Sequence, residues 1–362
     1  MARLMAAPDK ATRAQAAFLM PAEWEPHEAT WLAWPHEKTD WPVKFAPIPW
    51  VYGEIVRHLS RVEKVRILVQ GRGEEESAKR VLKKVDAELA AVEFFRVPTD
   101  RGWIRDFGPI FVRGQGGELV ATHWLFNAWA KYDNGRRDAA AVTRLATNFR
   151  RWKIPVHQPV YRGKRVVLEG GGIEVNGRGT LMVSEEWLLS SVQVRNPGLT
   201  RVDYEHIFRD YFGATHVLWL GRGIAGDDTH GHVDDLARFT STDTVVTVVE
   251  SDRSDVNFDP LQENLARLRE MRDQDGHELR VVRLPMPAPV IFAGERLPAS
   301  YANFYIANKT VLVPTFNDPN DRVALNTLAD LFPDRKVVGI AAQDLVLGLG
   351  TLHCMSQQQP AR

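Results

Sequence analysis

Apolar positions along this chain switch between two periods, and the switch itself recurs. Pro109 opens PIFVRGQGGELVATHWLF, two β-rich runs about a Gly-rich turn, which is the pattern of a hairpin. Ile173 opens IEVNGRGTLMVS, where Asn176-Gly177 is a strong two-residue turn signal. Leu236 opens LARFTSTDTVVTVVE, and Asn303 opens NFYIANKTVLVPTF. These four starts lie 64, 63 and 67 residues apart. After each of the last three hairpins the period lengthens to three and four residues, in RVDYEHIFRDYFG, DPLQENLARLREMRD and NDRVALNTLADLF, which predicts helices. Asp259-Pro260 and Asp318-Pro319 have the character of helix starts. Apolar strand runs follow: THVLWL, ELRVVRLP and KVVGIA. Ahead of the first hairpin stand VRILVQG, a charged helix from about Glu74 to Leu89, and VEFFRVP.

The repeating unit is therefore hairpin, helix, strand, about every 65 residues. Four units plus both termini suggest a ring of about five, with WLAWP near residue 31 and TLHCMS near residue 351 completing the fifth. A closed ring would remove exposed sheet edges, a physical reason for the chain ends to meet. Ordinary α/β elements at loose spacing are the alternative reading.

Composition narrows the class. The 362 residues are 44% apolar and 25% charged, ordinary for a soluble globule with a sizeable core. Forty-six basic and forty-six acidic side chains cancel, which argues against nucleic-acid or membrane-surface binding. No stretch is long and apolar enough to span a bilayer. The first 18 residues lack an apolar signal core and are expected to be a disordered tail, with one domain over 19–362. A single cysteine, Cys354, excludes an internal disulfide or a multi-cysteine zinc site. A cytoplasmic location is the expectation.

Candidate chemistry falls at matching places in the repeat. WIRDFGP, with Trp103, Arg105 and Asp106, precedes the first hairpin; LEGGGIEV, with Glu169, precedes the second. GDDTHGHVDDLARF, with Asp227, Asp228, His230, His232, Asp234 and Asp235, precedes the third. Equivalent positions in a ring share one end of its axis, so these acids are expected to converge. Free cysteine is commonly a small buried hydrophobe, but Gly348, Gly350 and the following SQQQP are poor core material. Cys354 is thus a candidate nucleophile, with a histidine to assist it. Carboxylates clustered without a metal need a cationic partner, and a planar guanidinium matches them bidentately. Trp103 either stacks on such a ligand or is structural. His230 and His232 among carboxylates also fit zinc or manganese. A non-catalytic binder of arginine-like cations is a third reading.

WIRDFGPIFV, FNAWAKY, LEGGGIEVNGRGTL, DDTHGHVDDLARF and HCMSQQQP, in this order, together with PAEWEPHEATWLAWPH, resemble the agmatine deiminase family and Porphyromonas-type peptidylarginine deiminases. The resemblance runs from about Met20 to Pro360. It implies an α/β fold, the five-bladed pseudo-symmetric α/β propeller of the guanidine-modifying (pentein) superfamily. It implies Cys354 as nucleophile, His232 as general acid/base, Asp234 as the His-x-Asp carboxylate and Glu169 as the acid supporting the histidine. Asp106 is similar to a guanidinium-binding acid, and Asp228 to a substrate contact. No cofactor and no metal are implied, with a small guanidine substrate and a homodimer. Three positions depart from the family pattern: His230 stands for Asp or Asn, Leu349 for Gly and Thr351 for Asn. They border the implied site and bear on which guanidine is used.

Overall fold

The computed structural model describes residues 18–362; apart from Phe18, the expected tail over 1–18 lies outside the described residues. All four hairpins form. Ile110–Gly114 pairs antiparallel with Leu119–Thr122, and Glu174–Val175 with Thr180–Ser184. Ala237–Phe239 pairs with Thr244–Val249, and Tyr305–Ile306 with Thr310–Thr315. Each second strand then pairs in parallel with the strand that follows its helical segment: Val156–His157, His216–Leu220, Arg280–Pro285 and Lys336–Ala341. Crossing from one parallel strand to the next needs a connection of a dozen or more residues, and the helices Arg201–Phe212, Phe258–Glu270 and Asn320–Leu331 supply it.

The fifth sheet joins the termini. Ser356–Pro360 lies antiparallel to His27–Ala33, which pairs in parallel with Lys64–Val69, and that with Val92–Arg96. The predicted pairing of the two ends is thus observed, with Gln357 opposite Trp31. Five sheets of three or four strands and two short ribbons result. No single sheet closes on itself among the described residues, so the expected removal of every edge by ring closure is not what strand pairing achieves; each unit keeps its own ladder.

Other differences are local. The charged helix runs Arg72–Lys84 and stops before Leu89, which sits in a short 3-10 turn. A helix over Ile48–Leu59 crosses between the first two parallel strands of the terminal sheet. Three short helices between Arg136 and Arg151 cross after the first hairpin. Asp259 lies inside its helix, whereas the Asp318 carboxylate accepts from the backbone N–H of Asn320 at 2.8 Å, satisfying a first-turn donor. No helix is long and apolar enough to cross a membrane among the described residues.

Candidate active site

The polar residues that precede the hairpins meet around a cavity of about 390 Å³. Its wall includes Asp40, Arg101, Trp103, Asp106, Trp129, Tyr132, Asp228, Leu349 and Cys354. His232, Glu169 and Asp234 stand behind that wall, each almost wholly buried.

Three glycines let the segments approach. A Cβ on Gly171 would lie 2.6 Å from His232 Nδ1 and 3.0 Å from both Asp106 Oδ1 and Asp234 Oδ2. On Gly170 it would lie 2.3 Å from the Arg105 carbonyl oxygen, and on Gly172 2.4 Å from the Trp187 ring. The run after Glu169 is therefore the packing centre of the site, where no side chain fits.

His232 holds its ring between acids. Nε2 stands 3.6 Å from Glu169 Oε2 and Nδ1 3.8 Å from Asp106 Oδ1, ion-pair rather than hydrogen-bond distances. The Trp187 ring meets the imidazole edge-on at 5.5 Å. Burial disfavours its charge, but the carboxylates of Asp106, Glu169 and Asp234 outweigh burial and lift its pKa to about 9. Glu169 also accepts from Trp187 Nε1 at 2.7 Å and Arg195 Nε at 3.0 Å. Burial works against that carboxylate too, yet Arg195 and His232 hold it down at about 2.

Asp106 accepts from Trp129 Nε1 at 2.8 Å and from the backbone N–H of Gly171 at 3.0 Å. Burial, helped by the charges of Asp234 and Glu169 and opposed by His232, pushes its pKa up to about 6. Trp129 reaches it from three consecutive left-handed residues, Ala128, Trp129 and Ala130, an arrangement that costs on the order of 1 kcal/mol or more per residue and is typical of a functional site.

Cys354 is fixed by Asn303. The amide Nδ2 donates to Sγ at 3.1 Å, while Oδ1 accepts from the Thr351 hydroxyl at 2.8 Å and the backbone N–H of His353 at 3.0 Å. Sγ lies 3.7 Å from Asp234 Oδ2. Burial and the facing Asp234, Asp235 and Asp106 push the thiol well above its ordinary range, against the Asn303 contact. The resting site accordingly holds a thiol, an imidazolium and an excess of carboxylate.

The other expected contacts sort differently. Trp103 donates from Nε1 to Asp40 Oδ2 at 3.1 Å, packs on Trp41 and also lines the cavity, so it is both anchored and available. Asp228 lies on the cavity wall, but its oxygens are engaged by Lys131 Nζ and, at 2.5 Å, by the Tyr132 hydroxyl. Arg101, paired with Asp40, stacks over Tyr132 at 4.4 Å.

For the metal reading, the histidines do not assemble. His230 Nε2 faces the Ser190 hydroxyl at 2.9 Å. Among the described residues the groups with ligand atoms within 4.8 Å of one another are Asp234, Asp235 and Cys354, and a surface set at Asp273, Asp275 and His277. Neither contains His230 or His232.

Two of the departures share a backbone setting. His230 and Leu349 both adopt φ of 65°, a left-handed conformation that Gly, Asn and Asp tolerate best. Thr351 does more than border the site, since its hydroxyl orients Asn303 and through it the sulfur.

Sequence reasoning overlooked Glu23, Trp129, Trp187, Arg195, Asn303 and His353. Trp129 and His353 sit inside quoted motifs, FNAWAKY and HCMSQQQP. Arg195 and Trp187 carry no local signal, because their partner Glu169 is 26 and 18 residues away.

The model of the Porphyromonas-type peptidyl-arginine deiminase family matches residues 19–360. Agmatine deiminase of Pseudomonas aeruginosa is 34% identical over 367 residues, covering 95% of this chain and 96% of that protein. The structure of agmatine deiminase of Enterococcus faecalis superposes with a TM-score of 0.86 at 30% identity, over 95% of this chain and 96% of that one. A C. jejuni agmatine deiminase with substrate bound gives 0.83 at 30% identity, over 94% and 96%. With motifs, fold and whole-chain similarity in agreement, this chain belongs to the Porphyromonas-type peptidyl-arginine deiminase family.

Proposed function

We propose that this chain hydrolyses the guanidine of agmatine to N-carbamoylputrescine and ammonia through a covalent adduct on Cys354. The observation that carries this reading is that Cys354 and Asp106 line one cavity, with Asp234 Oδ2 3.7 Å from the sulfur and His232 Nδ1 3.8 Å from Asp106, so that a nucleophile, an imidazole and buried carboxylates share one place. The family's known relatives named above as agmatine deiminases support the substrate. We further propose that 19–362 forms one deiminase domain, in which the five sheets are the blades of a pentein propeller.

Asp106 and Asp234 grip the guanidinium, and Trp103 walls its flat face. A unit positive charge about 4 Å from the sulfur is worth about 4 kcal/mol at an effective dielectric near 20, a factor of roughly 10³ in thiolate population. The thiol proton is released as the cation binds. Sγ then adds to the guanidinium carbon, giving a neutral tetrahedral adduct. His232, an imidazolium at neutral pH, passes its proton to an amino group, which departs as ammonia and leaves a thiouronium on the sulfur. The neutral imidazole next takes a proton from water as the water oxygen adds to the same carbon. Collapse expels the thiolate and forms the urea, the remaining hydroxyl proton returns to the sulfur as the thiol, and the proton released on binding accounts for the ammonia's appearing as ammonium. Glu169, held ionised by Arg195, steadies the imidazolium at both turns.

Ammonia release measured over agmatine, free arginine and an arginine peptide, with and without chelator, tests the reading. Turnover of agmatine insensitive to chelator is expected; no ammonia from any of the three would reject it.

Two variants probe the geometry. Gly171→Ala forces a methyl among His232, Asp106 and Asp234, and displacement of this order costs on the order of 10²-fold in kcat/KM. Steady-state rates on a variant with parental circular dichroism check this, and parental rates would contradict it. Lys131→Ala removes the cation that competes with the distal ammonium of agmatine for Asp228. Half-exposed pairs are worth roughly 0.2–1 kcal/mol, so KM for agmatine should fall, by up to about fivefold, with kcat little changed. A KM that stays or rises would show that Asp228 does not receive that ammonium.

A further inference from the structure

His353 lies directly before the nucleophile and has no role in the steps above. Its ring is almost wholly buried, with Nδ1 2.7 Å from Asp234 Oδ2 and Nε2 2.8 Å from Glu23 Oε2. Both neighbours are carboxylate oxygens, which accept and do not donate when ionised. A neutral imidazole has one N–H, so it can satisfy one of these contacts and sets a lone pair against the other. An imidazolium satisfies both.

The surroundings fix the same arrangement. Behind Glu23, Arg238 Nη2 lies 2.9 Å from Oε1 and Arg105 Nη2 3.3 Å from Oε2, while the backbone N–H of Ile306 donates to Oε1 at 2.8 Å. Arg105 also donates from Nε to the His353 carbonyl at 3.1 Å, and Glu174 takes the remaining side of Arg238. Asp234 Oδ1 is buried with no hydrogen-bond partner among the described residues, while Oδ2, which meets His353, also lies 3.7 Å from the sulfur. An ionised carboxylate turned by one oxygen toward His353 thus presents the other unpaired.

We propose that His353 is a positioning residue: as an imidazolium hydrogen-bonded through both ring nitrogens to Glu23 and Asp234, it holds Asp234 turned so that Oδ1 stays unpaired for the substrate's guanidinium. The role couples the N-terminal PAEWEPH segment to the site, through Glu23. The groups acting on Asp234 are His353 and Cys354 from the terminal segment, His232 and Asp235 from its own, Arg238 from the strand Ala237–Phe239, and Asp106 from the helix Ile104–Phe107. Burial opposes the charge of Asp234, and His353 is the largest force that keeps it below the ordinary carboxylate range.

The assignment rests on the deiminase reading for its functional consequence, but its structural half is tested without turnover. Neutron diffraction from deuterated native enzyme at mildly alkaline pH should show deuterium on both Nδ1 and Nε2 of His353. Deuterium on one nitrogen alone overturns the proposal even if the enzyme deiminates agmatine. The functional half is read from His353→Gln. Without the imidazolium, Asp234 loses the largest force that holds its pKa down, and its ionisation moves to higher pH. The acid limb of kcat/KM should therefore move to higher pH by about one unit and steepen from one proton to two, with kcat/KM at neutral pH down at least about tenfold. Loss of activity with an unmoved, one-proton limb would reduce His353 to a structural part and overturn the role. If the variant does not fold, the neutron result on the native enzyme decides.

Discussion

Cys354→Ala is expected to lower ammonia release from agmatine by at least about 10⁴-fold, the scale seen when a covalent nucleophile is removed. The variant should still bind the substrate within a few-fold of the parent. Sγ makes two contacts in the resting site, with Asn303 Nδ2 and Asp234 Oδ2, and neither is needed to hold a guanidinium. Binding comes instead from carboxylates the substitution leaves in place. The carboxylates keep the resting sulfur a neutral thiol, so its removal takes no charge from the empty site, and calorimetry on Cys354→Ala should give an affinity within a few-fold of the parental KM. Residual turnover within about tenfold of the parent would remove Cys354 from the chemistry.

The second large effect belongs to His232. His232→Asn should cost on the order of 10²–10⁴-fold in kcat, the range for a positioned acid–base group. Its pH signature separates catalysis from packing. In the parent, the imidazolium persists up to about pH 9 because Asp106, Glu169 and Asp234 overcome burial. Asp106 needs to be ionised to hold the cation and titrates at about 6. The profile of kcat/KM, which reports the free enzyme, should be a bell bounded near these two values. In His232→Asn the alkaline limb should vanish. The acid limb should move upward, since His232 is the charge that draws Asp106 down. Stability follows the same sign. A histidine whose folded pKa exceeds its unfolded value of about 6.5 stabilises the fold fully below that value and loses the contribution as pH climbs through about 9. Retention of the alkaline limb in a folded variant would assign that limb to another group.

What could be read from residues alone follows from how local each signal is. The hairpins were legible because β-branched runs flank turns such as Asn176-Gly177, and strand and turn lie within a dozen residues. The meeting of the termini followed from counting units, and the pairing of Gln357 with Trp31 confirms it. The helix Ile48–Leu59 was missed: its first turn holds Pro49, and the stretch before it is rich in proline and turn residues. The acids were legible because they precede successive hairpins of a repeat, and Cys354 because Gly348, Gly350 and the SQQQP after it are poor core material. Glu23, Arg105, Arg238 and His353 form one buried charge network, yet Glu23 and His353 are 330 residues apart. Pairing at that separation leaves no trace in periodicity or spacing. The engagement of Asp228 by Lys131 was invisible for the same reason, at 97 residues.

The account's central claim is a bond between the sulfur of Cys354 and the guanidine carbon. Acid quenching within the first turnovers on agmatine, followed by digestion and mass spectrometry, tests it directly. The peptide bearing Cys354 should gain the mass of the substrate less ammonia, and that adduct should be absent from Cys354→Ala. Ammonia released at full rate while the Cys354 peptide stays unmodified through every quench time would contradict it.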